Sequence, residues 1–436
     1  MNYSIWQETV KIPKFPCLGG DEKTEVLIVG GGLTGILCAH ALDRAGVDYL
    51  LIEAGEVCGG VTGNTTAKLT SQHGLCYHKL LKQFGPETAR LYWEANQEAL
   101  GRYRTLSQGI PCDFEEKDAY VYALADPVEL RQEAQALERL GIPGGVVESL
   151  PLPFPVAGAI RFSNQAQFNP LKFVSALAGG LNIRQHTEAQ SFEGNLVRTN
   201  HGDIRAKHIV IATHFPIINR HGGYFLKMYQ HRSYVLALEG AADVDGMYVD
   251  ASGQGLSFRN YNGLLLLGGG AHRTGKQGGG WAELETASQA VYPEAREVCR
   301  WATQDCMTLD GVPYIGRYGR RLPGYDVATG FGKWGMTSAM VSAMILSDLI
   351  QGKENPYARV FDPARRMLRP QLLSNIGQAT VNLLTPTTPR CPHLGCALKW
   401  NPQEHTWDCP CHGSRFGEDG TLLENPATGD LKKPNR

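Results

Sequence analysis

Apolar and polar positions in the first 350 residues follow two rhythms. Residues 25–29 and 48–52 are short apolar runs of the kind that fill a buried strand. Between them, apolar positions through Ala39 and Leu42 predict a helix that ends near Gly46. Residues 79–108 and 127–140 set charges between apolar positions and predict helices, and Asn169-Pro170 opens a further helix to Ala178. Residues 183–187, 191–199 and 209–213 read as strands, as do several stretches of 225–272, including 233–238 and 264–267. An apolar helix is expected over 338–350. Strands alternating with helices predict an α/β Rossmann-like domain. The strand-rich middle predicts a twisted antiparallel sheet beside it, over the substrate.

The first turn carries chemistry. After the strand come Gly30-Gly31-Gly32-Leu33-Thr34-Gly35 and a helix, and the second strand ends at Glu53, 23 residues after Gly30. Two glycines allow a tight turn and close approach to a pyrophosphate, the third lets the helix pack, and the acid accepts ribose hydroxyls. This context makes the G-x-G-x-x-G a dinucleotide site. Two further glycine-rich loops choose between cofactors. One runs from Ala54 through Gly60 to Thr65-Thr66-Ala67-Lys68. The other, Gly330 to Trp334-Gly335-Met336-Thr337, leads into the 338–350 helix, whose first amides can face a flavin carbonyl. Glycine loops at both ends of the domain favour FAD over NAD.

These residues, with Asp310-Gly311-Val-Pro313 and Ala328-Thr329-Gly330-Phe331, resemble the D-amino-acid-oxidase/glycine-oxidase superfamily of FAD-dependent oxidoreductases. The resemblance covers about residues 5–370. It implies FAD-binding parts near 22–75, 180–215 and 305–350, with substrate-covering parts mainly at 80–180 and 216–300. It also implies cofactor contacts at Ala189, in the strand that meets the adenine, and at Ala212 and Thr213.

A second constellation lies near the end. Cys391-Pro-His393-Leu-Gly-Cys396 is followed by Cys409-Pro-Cys411-His412-Gly413-Ser414. Two thiolates and two imidazoles suit an iron–sulfur centre or zinc, and disfavour calcium or magnesium. Zinc leaves the flanking cysteines and Gly413-Ser414 unexplained. Two histidines replacing two cysteines on one iron define a Rieske 2Fe–2S centre. The segment resembles the Rieske proteins of cytochrome bc complexes. That resemblance implies Cys391 and Cys409 on the inner iron, His393 and His412 on the outer one, and a Cys396–Cys411 disulfide between the loops. Asn425-Pro426-Ala427 is similar to the family's proline loop over the cluster. Phe416 stands where high-potential members carry a tyrosine that donates to a cysteine sulfur, so a lower potential is expected. Together the two halves resemble a bacterial group of fused FAD–Rieske oxidoreductases.

Composition changes this picture little. At 436 residues, and roughly 150 per domain, two or three units are expected. We place them at 1–375 (oxidoreductase), 376–390 (a polar, proline-bearing linker) and 391–436 (a small, shortened all-β Rieske-type segment). A net charge near −1 gives no case for nucleic acid or anionic lipid. No apolar run reaches the ~18 residues of a membrane span, and the seven scattered cysteines fit a reducing cytoplasm. The cluster segment is too short for a full Rieske fold and is expected to dock on the flavoprotein.

Candidate substrate residues are Arg232, Tyr234, Arg259 and His272, with Arg273 beside them. An arginine fork suits a substrate carboxylate. His73 and Cys306 are candidates to face or tether the flavin. The expected activity takes electrons from a small amine, amino acid or hydroxy acid through FAD to the cluster. A protein or quinone-like acceptor then collects them at an exposed histidine edge. The alternatives are an oxygen-using oxidase with a structural or sensing cluster, and a non-catalytic electron-transfer module.

Overall fold

The computed structural model describes residues 3–219, 221–253, 255–366, 369–386 and 389–431. Its first sheet runs in the order Tyr314–Arg317, Tyr325–Thr329, Gly202–Ile211, Glu22–Val29, Tyr49–Ile52, Ile183–Arg184. Along this path all neighbours are parallel except the edge hairpin of Tyr314–Arg317 with Tyr325–Thr329; off it, Leu196–Thr199 pairs antiparallel with Gly202–Ile211 and with Ala189–Glu193. Strand Tyr49–Ile52 is wholly buried, as a run without polar alternation requires. Helices Leu33–Arg44 and Gly335–Ile350 pack on this sheet and on each other, completing the Rossmann-like layer.

The second sheet orders Arg296–Thr308, Met228–Glu239, Leu264–Arg273, Ser257–Tyr261, Met247–Asp250, Glu115–Ala123, Gly158–Gln167 and Lys68–Leu69. It is antiparallel apart from Met247–Asp250 against Glu115–Ala123. Residues 305–308, at the start of the expected FAD-binding part 305–350, finish the longest strand of this sheet. Helix Tyr77–Ser107 kinks at Gly85-Pro86, where Gly85 takes φ 81°.

The third sheet is small and antiparallel: Lys399–Asn401, Thr406–Asp408, Arg415–Gly417 and Leu422–Glu424. The two cysteine–histidine loops flank its first two strands. Residues 376–384, expected as linker, are helical within Pro370–Leu384. Pro370 in the first turn is an ordinary helix-start signal. No helix among the described residues is long and apolar enough to cross a membrane.

Candidate active site and cluster pocket

Two glycines of the first turn are fixed by geometry. A Cβ on Gly30, at φ 113°, would lie 2.6 Å from Ala212 O, and one on Gly35 would lie 1.9 Å from Gly30 O. Gly30 thus closes the turn against the neighbouring strand, and Gly35 lets the helix lie on it. Glu53 is held in place, its two carboxylate oxygens accepting from Gly31 N (2.6 Å) and Gly55 N (2.8 Å).

A cavity of about 950 Å³ opens here. Gly30, Gly32, Leu33, Thr34, Glu53, Ala54, Gly60, Thr65, Thr66, Lys68, Ala189, Ala212, Thr213, Trp334, Gly335 and Met336 all line it. Gly35, Ala67, Gly330 and Thr337 lie behind its wall. Thr337 Oγ1 bonds His73 Nε2 (3.0 Å), and a Cβ on Gly330 would meet Thr308 at 2.3 Å. The lining fits FAD. Helices Leu33–Arg44 and Gly335–Ile350 both begin at this cavity without a cap from their own N-cap residue; Thr62 Oγ1 accepts from Leu33 N (3.0 Å), and the positive dipole ends face the cavity for an anion. Lys68 also lines it with no carboxylate partner, and burial, then Arg259, pushes its ammonium down to about 7.

His73 stacks on Trp334 at 4.9 Å. Its Nε2 lies 2.9 Å from Thr70 O, which only accepts, so Nε2 carries the proton and Nδ1 accepts from Tyr92 Oη (2.7 Å). Burial pushes its pKa down to about 3. Both nitrogens are engaged, which leaves none for a flavin bond. Cys306 is buried and does not line the cavity.

The arginines of the second sheet have other partners. Arg232, buried, forks onto Glu404, with Nε to Oε1 at 3.0 Å and Nη2 to Oε2, and its Nη1 reaches Glu424 at 2.9 Å. Arg273 donates to Pro410 O, Cys411 O and Asn375 Oδ1. Arg259 Nη1 holds Thr66 O (2.7 Å) and Ala67 O (2.9 Å), bracing the flavin-side loop. Tyr234 Oη bridges His272 Nε2 (3.0 Å) and Glu404 Oε1 (2.9 Å), and among these four candidates only Tyr234 lines the cavity. Most of what was expected to grip a substrate grips the C-terminal segment.

That segment is docked. Gln230 Nε2 donates to His412 O (2.8 Å) and Asn425 O (3.2 Å), and Gln304 Nε2 donates to Gly413 O (2.8 Å). Asn425 Nδ2 donates to Thr213 O (2.6 Å), and Ala427 N donates to Ser414 Oγ (3.0 Å). The loop across Asn425–Ala427 therefore touches the cluster loops on one side and a cavity-lining residue on the other. The cavity itself extends to Leu422–Asn425, Ala427 and Thr428. Sequence reading missed Gln230, Gln304, Asn219 and Glu404. Their partners lie far away along the chain, and no local spacing announces them.

In the cluster pocket the rings of His393 and His412 stand 4.9 Å apart. Both Nδ1 atoms are buried without a partner. His393 Nε2 lies 2.7 Å from Asn219 Oδ1, an acceptor, so Nε2 bears the proton and Nδ1 keeps its lone pair. The Cys391 thiol faces that of Cys409. The donor set fits a 2Fe–2S centre. Two expectations are corrected here. Cys396 and Cys411 are thiols, not a disulfide: with Cys409 they form one group of three sulfurs within 4.8 Å, so no single pair is set apart. The histidine edge is not exposed. His412 is buried with Phe225 at 6.1 Å, and His393 is half-buried with Phe215 at 6.4 Å.

A family model for FAD dependent oxidoreductases matches residues 25–349. The chain belongs to that family. A Rieske [2Fe-2S] domain model matches residues 382–435. The cofactors of this FAD-dependent oxidoreductase are accordingly FAD and a 2Fe–2S cluster, and the resemblances drawn from its sequence are borne out. It is 36% identical, over 99% of its length and 97% of the relative's, to the "Putative Rieske 2Fe-2S iron-sulfur protein YhfW" of Bacillus subtilis (strain 168). Over 42 residues, 10% of this chain and 24% of the other, it is 50% identical to a cytochrome b6-f complex iron-sulfur subunit of Nostoc sp.. Among solved structures, glycine oxidase from Geobacillus kaustophilus superposes with TM-score 0.66 at 20% identity, covering 79% of this chain and 99% of that one. L-proline dehydrogenase from P. horikoshii gives 0.65 at 18%, covering 79% and 98%. At these identities the likeness speaks for the fold.

Proposed function

We propose that this oxidoreductase takes two electrons from a small amine, amino-acid or hydroxy-acid-like substrate and passes them singly to its own Rieske cluster. The observation that carries this reading is the shared wall. One cavity runs from the dinucleotide turn to the Asn425–Ala427 loop, and that loop bonds both Thr213 of the flavin side and Ser414 of the cluster loop. Bound FAD supplies a two-electron oxidant that also releases electrons one at a time. The chain's residues do the placing. The turn at Gly30–Gly32 and the start of helix Leu33–Arg44 would hold the pyrophosphate, and Glu53 the ribose. Cys391 and Cys409 would hold the inner iron, His393 and His412 the outer one. Asn219, Gln230 and Gln304 fix the histidine loops against the flavoprotein. The histidine edge turned toward the flavoprotein supports electron entry from that side.

The test is anaerobic addition of candidate amines, amino acids and 2-hydroxy acids, followed by visible and EPR spectra. Flavin bleaching together with appearance of the reduced-cluster EPR signal supports the reading. Bleaching with the cluster left oxidised, and stoichiometric peroxide once air is admitted, would replace it with a plain oxidase. Metal analysis returning only zinc would end it.

A further inference from the structure

Part of the cavity wall is a patch of polar side chains that the protein leaves unpaired. Strands Met228–Glu239 and Arg296–Thr308 are antiparallel neighbours in which His231 faces Asp305 and Ser233 faces Thr303. Side chains alternate along a strand, so these four residues share one face, and all four line the cavity. Ser233 Oγ and Thr303 Oγ1 are buried without a hydrogen-bond partner. The Asp305 carboxylate has no hydrogen-bond or ion-pair partner among the described residues. The two hydroxyls are costly to leave buried and unpaired, and the half-buried Asp305 carboxylate stands beside them, so the patch is a place where a ligand supplies the missing hydrogen bonds.

The charges nearby decide what kind of ligand. No arginine lines the cavity among the described residues; its lysines are Lys68, in the flavin-side loop, Lys79 and Lys333. Arg232 and Arg273 are spent on the cluster segment; Arg259 gives Nη1 to the flavin-side loop, and its Nε and Nη2 are buried unpaired in a side chain that does not line the cavity. The groups that act on Asp305 are Lys333, Arg232 and Glu424, with His231 its cross-strand neighbour. Lys333 already gives Nζ to Gly253 O at 3.2 Å. Burial pushes the His231 ring down to about 4, so it is neutral near pH 7 and adds no cation.

We propose that Asp305 grips the substrate, and that the substrate is a primary or secondary amine held by its ammonium group, with no carboxylate required. This rests on the reading that the cavity houses FAD and substrate together. Ser233 and Thr303 hydroxyls accept the remaining N–H groups. Burial raises the Asp305 carboxyl to about 6, against the pull of Lys333 and Arg232, which brings its proton affinity closer to that of an amine. The step balances as follows. One substrate N–H bond breaks and an Asp305 O–H bond forms, freeing the nitrogen lone pair. The α-hydrogen then leaves with its electron pair to FAD, the family's oxidant, and the substrate departs as an iminium.

The test uses a matched set: benzylamine, phenylglycine and mandelate, and propylamine, 2-aminobutyrate and 2-hydroxybutyrate. Binding is followed by perturbation of the flavin spectrum and turnover by anaerobic bleaching, in the FAD- and cluster-loaded full chain, Asp305→Asn and Lys333→Met. The two amines are expected to bind and bleach. Asp305→Asn should raise their Kd roughly 10- to 100-fold, the loss of one charge-assisted hydrogen bond, with flavin content unchanged. The rise of kcat/KM through about pH 6 should vanish in Asp305→Asn and return in Asp305→Glu. The proposal is overturned if the carboxylate-bearing members bind tighter and lose affinity in Lys333→Met but not in Asp305→Asn. In that case the flavin still bleaches and the wider function stands. If no member binds or bleaches, both fail.

Discussion

The flavoprotein and the cluster segment hold themselves together by different means. The flavoprotein buries whole strands and helix faces, such as Val26 to Val29 and Val341 to Leu346. Among its described residues the cluster segment has a core of seven buried side chains, and four of them are cysteines. So small a core cannot carry a fold alone. What replaces it is polar and directional. Arg232 joins Glu404 and Glu424, Arg415 joins Asp408, Glu404 and Glu424, and three side-chain amides bond loop carbonyls. The lesson is that the segment is specified by its metal ligands and by its host, rather than by burial of its own.

If that contrast is right, Cys409→Ser should separate the halves most sharply. The cluster EPR signal is lost entirely and the segment becomes open to limited proteolysis, while FAD content and flavoprotein melting stay near wild type. Equal loss of FAD would show that the halves fold as one. Arg232→Met comes next. Removing one member of a buried ion network typically costs 3–5 kcal/mol, about what the dock should lose here. Chemical denaturation followed by cluster absorbance and by flavin fluorescence should shift the first curve and leave the second.

Acid offers a milder cut. Burial pushes the Glu404 carboxyl up, but Arg232 and Arg415 together outweigh it and hold it at about 2, below its ordinary 4.5. A lowered carboxyl pKa stabilises above the unfolded value. Docking should therefore weaken as pH falls from about 4.5 towards 2, and a Glu404→Gln variant should show a flatter profile in that window. The smallest effect is expected from Phe416→Tyr. Phe416 lies fully buried in the cluster core, and a hydroxyl there adds a donor toward sulfur. The reduction potential should rise within the roughly −150 to +300 mV Rieske span, and a redox titration reads it directly.

Much of this was legible in the chain. The run from Gly30 to Glu53 announces its turn, because a strand, three glycines and an acid each answer a local steric demand. The cysteine–histidine loops announce themselves because ligand chemistry fixes both residue type and spacing. The partners of Arg232 and Arg273 were not legible, for the opposite reason. An arginine on a strand suits a substrate carboxylate and a glutamate equally well, and Glu404 lies 172 residues away. Asp305 gave no signal at all, since its meaning comes from the cross-strand register with His231 and from the cavity before it. The helix Pro370–Leu384 was hidden by polar residues and prolines, although Pro370 itself marks its start.

The four cysteines of the cluster loops and His412 are nearly sealed from solvent in the docked state, each 4% exposed or less. A carrier delivering iron and sulfide needs to touch those thiols, so loading belongs to a moment before the two parts close. Repair inherits the same constraint: iron lost to oxidation returns only when the segment lifts off. Reconstitution of stripped protein should then run faster with the Arg232 clamp cut than with it intact, and equal rates would show that the thiols are reached without opening.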